Sequence, residues 1–284
     1  MLPVPKIVWL EMTSPQRPAR ITEPEAMTDA EQVASYVKAY EWGGPTSALQ
    51  LHHMRELASL IRPGDVVVDL ACGPGPLLLE LAPLYPEVEF IGADLSPTML
   101  EHLQRAARER GLSNVSVLQE DIRTLPSLEG RKVDLVISTS ALHHLPDDDS
   151  LRQVFTRMNS LLGADGGFYL FDFGLLKSAR TREIFVAEVA KLAPPITAHD
   201  YDVSLQAAYP VDYALESARA ALPRPYVEAP CAFVDFFYFL QTAPRTTPSP
   251  KVQARLDEIW RGLSVPMKAE HAMLRMLRRR REVR

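Results

Sequence analysis

The chain has 284 residues, 46% of them hydrophobic and 24% charged, with a formal net charge of -5, the balance of an ordinary globular protein. That charge excludes a broad nucleic-acid footprint, and no apolar run reaches the length needed to span a membrane. With only Cys72 and Cys231 present, a disulfide framework is excluded and a reducing, cytoplasmic setting is expected.

The stretch from Met1 to Glu11 mixes prolines, a lysine and a glutamate into its apolar positions, which is not a signal-peptide pattern. The first thirty residues read as a proline-rich arm. Thr28-Asp29-Ala30-Glu31 has the spacing of a capping box, ahead of a helix that carries Val33, Tyr36, Val37 and Tyr40 on one face. Glu41-Trp42-Gly43-Gly44-Pro45 breaks that helix, and Thr46 opens another, striped by Leu51, Met54, Leu57 and Ile61. Residues 1–62 are therefore expected to form an N-terminal arm with cap helices.

Val66-Val67-Val68-Asp69-Leu70-Ala71-Cys72-Gly73-Pro74-Gly75 is the most informative stretch. Its β-branched run predicts a buried strand, and its glycines let backbone approach a ligand. A dinucleotide fingerprint would place a third glycine where Leu78 stands, and Asp69 would repel a pyrophosphate. A nucleoside without a diphosphate fits better. A helix from Pro76, a strand from Val88 to Asp94, a helix on Met99, Leu100, Leu103 and Ala107, and a strand from Val115 to Gln119 follow. A fourth strand begins at Val133, a helix carries Leu151, Val154, Phe155, Met158 and Leu162, and Phe168 to Phe173 continue the sheet. This alternation predicts an α/β fold with helices on both faces of a parallel sheet.

In this order, from about Pro63 to Gly174, the landmarks resemble the class I S-adenosylmethionine-dependent methyltransferases, with Asp69 to Gly75 on their first motif, D-x-G-x-G-x-G. Ala71 stands in place of the motif's first glycine. The resemblance implies a Rossmann-like seven-stranded sheet of order 3-2-1-4-5-7-6 and S-adenosyl-L-methionine as cofactor. It places Asp69, Ala71, Gly73 and Gly75 at the glycine turn, Asp94 on the ribose hydroxyls with Leu95 beside it, Asp121 at the adenine amino group and Ile122 over the ring. Ser138 would offer a backbone carbonyl to the cofactor's amino end, and Tyr36 would close over the sulfonium. Read from the residues alone, Asp69 can also brace the turn, Asp121 can be a solvated loop acid, and Tyr36 can belong to a core stripe. Asp94 is freed from capping duty by Ser96-Pro97.

His143 and His144 follow the fourth strand, on the side that faces the methyl group in the resembled fold. An imidazole suits the removal of a proton from an oxygen acceptor, and a packing role is the alternative. Asp147-Asp148-Asp149 is explained by a helix N-terminus, and no metal is assigned.

With residues 63–174 as the cofactor-binding core, residues 175–210 read as an inserted helical cap that brings His199-Asp200-Tyr201-Asp202 near the acceptor. Residues 211–245 hold a last core helix, Val211 to Leu222, and a closing hairpin of Tyr226 to Ala229 and Phe233 to Leu240. In the tail, 246–284, one amphipathic helix carries Val252, Leu256, Ile259, Trp260 and Leu263, and a basic run covers Arg278 to Arg281. The expected protein is a methyltransferase acting on a small-molecule acceptor, without membrane or nucleic-acid partners, and a homo-oligomer is left open. The alternatives are an RNA or protein methyltransferase that uses the basic tail, and a cofactor-binding protein without turnover.

Overall fold

The computed structural model describes residues 3–27 and 29–283. Three helices come first: α1 (Val4–Thr13), α2 (Ala30–Ala39) and α3 (Ser47–Leu57). An alternating run follows, β1 (Val66–Leu70), α4 (Pro76–Leu81), β2 (Glu89–Asp94), α5 (Pro97–Glu109), β3 (Val115–Gln119), β4 (Val133–Thr139), α6 (Asp148–Leu161) and β5 (Leu162–Phe173). Helices α7 (Ala179–Val189), α8 (Pro195–Ala207) and α9 (Val211–Ala221) precede β6 (Tyr226–Pro230) and β7 (Phe237–Gln241). Helices α10 (Pro250–Gly262) and α11 (Val265–Met276) and strand β8 (Arg281–Val283) come last.

The β-branched run of β1 lies at the centre because both of its faces are covered, which an alternating strand would not tolerate. It pairs in parallel with β2, Val67 opposite Phe90, and with β4, Val67 opposite Leu135. The sheet runs β3-β2-β1-β4-β5-β7-β6-β8, so a Rossmann-like order of seven strands is extended by one. Strand β8 is the addition, antiparallel to β6, and it satisfies backbone groups that β6 would otherwise leave unpaired. One face buries Leu51, Met54, Leu78, Leu103 and Leu256. The other buries Val154, Phe155, Met158 and Leu215 from α6 and α9.

The segment between β5 and α9 enters and leaves the fold at one point, where Leu175 N–H donates to the Tyr209 carbonyl at 2.9 Å. Helices α7 and α8 fill it and pack against each other. Within it, Asp200 accepts from Gln32 Nε2 of α2 at 2.8 Å and Asp202 pairs with Arg182 of α7 at 2.9 Å, so both carboxylates join helices together.

Several expectations are corrected. The proline-rich arm contains α1, which starts with proline in its first turn, where a missing N–H costs nothing. Its buried Glu11 accepts the N–H groups of Lys177 and Ser178, at the start of α7. Helix α2 is capped by Asp29, which accepts from Gln32 N–H, while Thr28 of the expected capping box lies outside the described residues. The second hairpin strand begins at Phe237, because Phe233 adopts a positive φ of 69° in the preceding turn.

The tail holds two helices, since Ser264 caps a new one with proline in its first turn, and Arg279, Arg280 and Arg281 of the basic run are exposed. Arg278 is 5% exposed and ion-paired at 2.8 Å with Glu56 of α3, while Arg281 begins β8.

Candidate active site

Leaving β1, the chain takes three left-handed residues within five, Ala71 (φ 51°), Gly73 (φ 54°) and Gly75 (φ 67°). An alanine in that region is strained by about 1 kcal/mol, so the turn holds Ala71 against its preference. Gly75 serves packing. A Cβ there would fall 2.4 Å from Leu103 Cδ1 on α5, and the residue does not reach the cleft described next. At Gly73 the nearest protein atom to an added Cβ is Tyr36 Cε1 at 3.8 Å, so the missing side chain leaves backbone bare on the cleft floor.

A cleft with an empty volume of about 690 Å³, part of it open to solvent, lies at the C-terminal ends of β1, β2 and β4. This is where open α/β sheets receive ligands. Asp94 stands in its wall, with Oδ2 accepting from Gly73 N–H and Oδ1 from Ser96 N–H, each at 2.8 Å. Ser96 Oγ caps α5 by accepting from Met99 N–H, so the carboxylate keeps a second lone pair on each oxygen for a ligand. Ala71, Leu95, Ile122 and Tyr36 are also in the wall. So is Asp121, gripped by Arg123 through Nε at 2.9 Å to both oxygens.

Asp69 and Ser138 are not in the wall. Ser138 is fully buried, its hydroxyl donating to the Leu70 carbonyl at 3.1 Å, and Ser140 borders the cleft instead, with a positive φ of 53°. The strand pleat turns Ser138 into the sheet, and the chain reaches the cleft only after β4 has ended.

Burial pushes the Asp69 carboxyl up to about 8, and the neighbouring Asp94 charge adds to the shift. A carboxyl with a folded-state pKa above its unfolded value stabilises the fold below the unfolded pKa and loses that contribution as pH rises through the folded one. Asp69→Asn is therefore expected to match the parent protein in urea unfolding near pH 4 and to exceed it near pH 9. An equal loss of stability in both proteins between those pH values would mean that Asp69 is not the protonated group.

The one-turn helix Leu142–His144 follows β4. His143 is 2% exposed, with Nδ1 2.6 Å from Asp172 Oδ1 at the end of β5, and its backbone N–H donates to Asp172 Oδ2. Its Nε2 faces Glu23 Oε1 at 3.4 Å. His144, 27% exposed and in the cleft wall, sets Nδ1 3.6 Å from the same oxygen and 3.1 Å from the Pro24 carbonyl. Burial pulls the His143 pKa down, but Asp172 and Glu23 outweigh it and the net shift is upward. Burial and then the charge of His143 push His144 down to about 4, so its imidazole is neutral at physiological pH.

Residues 67–166 match the model of a methyltransferase domain. Those residues carry a methyltransferase domain. Among curated proteins, the aklanonic acid methyltransferase of Streptomyces sp. (strain C5) is 34% identical over 102 residues, covering 33% of this chain and 43% of that protein. A malonyl-(acyl-carrier protein) O-methyltransferase of Legionella pneumophila is 34% identical over 101 residues, covering 35% of this chain and 33% of that protein. The chain thus spans less than half the length of these relatives. A solved complex of the plantazolicin methyltransferase BpumL with SAH shares the fold, with a TM-score of 0.58 at 11% identity over 91% of this chain and 90% of that one.

The cleft is roofed by the arm before α2, which the sequence placed as a cap without singling out the residues that do it. Glu25, Ala26 and Met27 border the cleft, and Met27's carbonyl accepts from Ser96 Oγ at 2.7 Å. Arg20 donates to the carbonyls of His143, Leu145, Pro146 and Ala207 and lies 4.0 Å over the Tyr209 ring. A lone arginine in an aperiodic segment carries no sequence signal for contacts made more than a hundred residues away.

Proposed function

We propose that this chain is an enzyme that binds S-adenosylmethionine and passes its methyl group to a small-molecule acceptor. The observation that carries the reading is Asp94, a carboxylate ending the second parallel strand, fixed by two backbone N–H groups and aimed into the cleft beside the bare backbone of Gly73. The residues fit the nucleoside. Asp94 has lone pairs to accept from both ribose hydroxyls, Ile122 offers an apolar face to the base, and Asp121 stands beside it as acceptor for the amino group. Tyr36 presents an aromatic wall that attracts a cation. When bound, the cofactor supplies an electrophilic methyl group on a sulfonium, open to in-line displacement.

On the acceptor side, under the arm, His144 presents a neutral imidazole that takes the proton of an oxygen acceptor. A small acceptor is supported by the relatives named for aklanonic acid, malonyl-(acyl-carrier protein) and, at 39% identity over 85 residues in Rhodococcus jostii, trans-aconitate, whereas a relative in Bos taurus, 40% identical over 85 residues, is named for U6 snRNA. In the basic tail Arg278 is spent on Glu56, so a nucleic-acid reading would rest on the exposed Arg279, Arg280 and Arg281. Among the described residues no helix is long and apolar enough to cross a membrane, and we assign the protein to the cytoplasm on its two buried free cysteines.

Two measurements test this. Asp94→Ala is expected to weaken cofactor binding by about 1 to 3 kcal/mol through lost charge-assisted hydrogen bonds, read by calorimetry. Unchanged affinity would overturn the ribose assignment. Incubation with a panel of carboxylic, phenolic and enolic acceptors is expected to release SAH. Cofactor binding with no product from any acceptor would leave a binding protein in place of an enzyme.

A further inference from the structure

We propose that Glu23, His143 and His144 bind a divalent transition-metal ion, of the kind zinc exemplifies, at the acceptor side of the cleft. The binding stands on geometry alone, and only its use in catalysis rests on the methyl-transfer reading. Glu23 Oε1 lies 3.4 Å from His143 Nε2 and 3.6 Å from His144 Nδ1, and the three ligand atoms fall within 4.8 Å of one another. These separations are too long for good hydrogen bonds. They match the edge of a tetrahedron with metal bonds of about 2.0 to 2.1 Å, roughly 3.3 Å. The longer histidine–histidine separation closes by a swing of the partly exposed His144 ring.

The Ser204 hydroxyl hydrogen-bonds to the Glu23 carboxylate, but the oxygen that faces the histidines has no donor. Glu23 has a side chain 9% exposed, and its Oε1 is buried without a hydrogen-bond partner. A desolvated carboxylate oxygen left without a donor is costly, and a cation removes that cost. An imidazolium donating to it would close to about 2.7 to 2.9 Å.

Around these ligands, Asp172 accepts at 2.6 Å from His143 Nδ1. That contact fixes the proton on Nδ1 and leaves the lone pair of Nε2 toward Glu23, the carboxylate–histidine arrangement typical of metal ligands. His144 reaches the same state when its proton moves to Nε2, giving up the contact with the Pro24 carbonyl. The nearest arginine, Arg20, is committed to backbone carbonyls, and the carboxylates of Glu23 and Asp172 leave the surroundings acidic.

Three protein ligands leave a coordination position open, as in catalytic rather than structural zinc sites. Because His144 is both ligand and cleft wall, that position is available to an acceptor oxygen from a carboxylic acid, phenol or enol. A metal-bound hydroxyl loses its proton to solvent at neutral pH. Its lone pair then forms the O–CH3 bond while the electrons of the broken C–S bond stay on sulfur. In the loaded protein the histidines act as ligands, and the ion replaces His144 as the means of deprotonation.

The test uses Co2+ as a visible probe with the full chain freed of metal by a chelator. Expected are one equivalent bound per chain, a d–d spectrum of a low-coordinate site, and displacement by Zn2+. Glu23→Gln and His144→Ala are expected to abolish the spectrum, with calorimetric cofactor binding reporting that both variants are folded. Asp172→Asn, which acts through His143, is expected to weaken Co2+ binding roughly 10- to 100-fold. Absence of stoichiometric binding, or a spectrum that survives in Glu23→Gln and His144→Ala, would overturn the site. Co2+ binding without SAH release from any acceptor would instead defeat the methyl-transfer reading, and turnover that persists after chelation would remove the ion from the chemistry.

Discussion

Replacing Arg245 by methionine is expected to lower the stability of the fold by about 3 to 5 kcal/mol, the loss typical of breaking a buried ion pair. Arg245 and Asp65 are each 7% exposed, with Nη1 2.9 Å from Oδ2 and Nη2 3.3 Å from Oδ1. The same guanidinium donates to the Leu60 carbonyl, and the backbone N–H of Arg245 donates to Ser59. One residue beyond β7 thereby holds the turn that launches β1, the strand from which the cleft is built. Without it, Asp65 keeps its contact with Arg62 N–H but becomes a buried charge whose remaining nearby cation, the exposed Lys132, is already paired with Asp134. Urea unfolding of the single variant measures the loss. The double variant Asp65→Asn with Arg245→Met is expected to recover much of it, because no charge is then stranded. A single-variant loss below about 1 kcal/mol would class the pair with solvent-exposed salt bridges.

His144→Ala is expected to reduce turnover by roughly 10²- to 10⁴-fold, the range of a lost proton-transfer group. The effect should fall on kcat rather than on cofactor affinity, since Asp94 and the turn at Gly73 lie at the other end of the wall. The pH profile carries the sign. With its pKa pushed down to about 4, His144 stays neutral through the physiological range, so turnover should not decline as pH falls from 8 to 6 on its account. An acid limb near the ordinary imidazole value would place the active group elsewhere, and full activity in the alanine variant would remove the histidine turn from the chemistry. Chelation separates the two ways in which the residue can act, because only a ligand role makes turnover depend on the ion.

The sheet was legible because its central parallel strands are buried on both faces, so Val66 to Val68 and Leu135 to Ile137 read as apolar runs. Helices α5 and α6 announced themselves through Ser96-Pro97 and the aspartates at 147 to 149, which cap and charge their first turns. Two short elements were hidden for physical reasons. Helix α1 draws much of its support from Glu11 bonding to α7, and β8 is ordered by pairing with β6, neither of which leaves a periodic pattern.

In the cleft, Ala71, Gly73, Asp94, Leu95, Asp121, Ile122, His144 and Tyr36 stand together as residues named from the sequence. A motif marks where glycine is needed but not which neighbour excludes a side chain, so Gly75 looked like a ligand contact when Leu103 is what demands it. Ser138 was named for its backbone carbonyl, and the serine whose position borders the cleft is Ser140, just past the end of β4. Glu23 had no signal at all, since its importance lies in partners 120 residues away.

Arg20 grips both the histidine turn and the end of α8, so the arm cannot let go of one without loosening its hold on the other. A ligand lying beneath residues 25–27 therefore meets a roof whose position is tied, through one guanidinium, to the carbonyls of His143 and Leu145 beside the imidazoles.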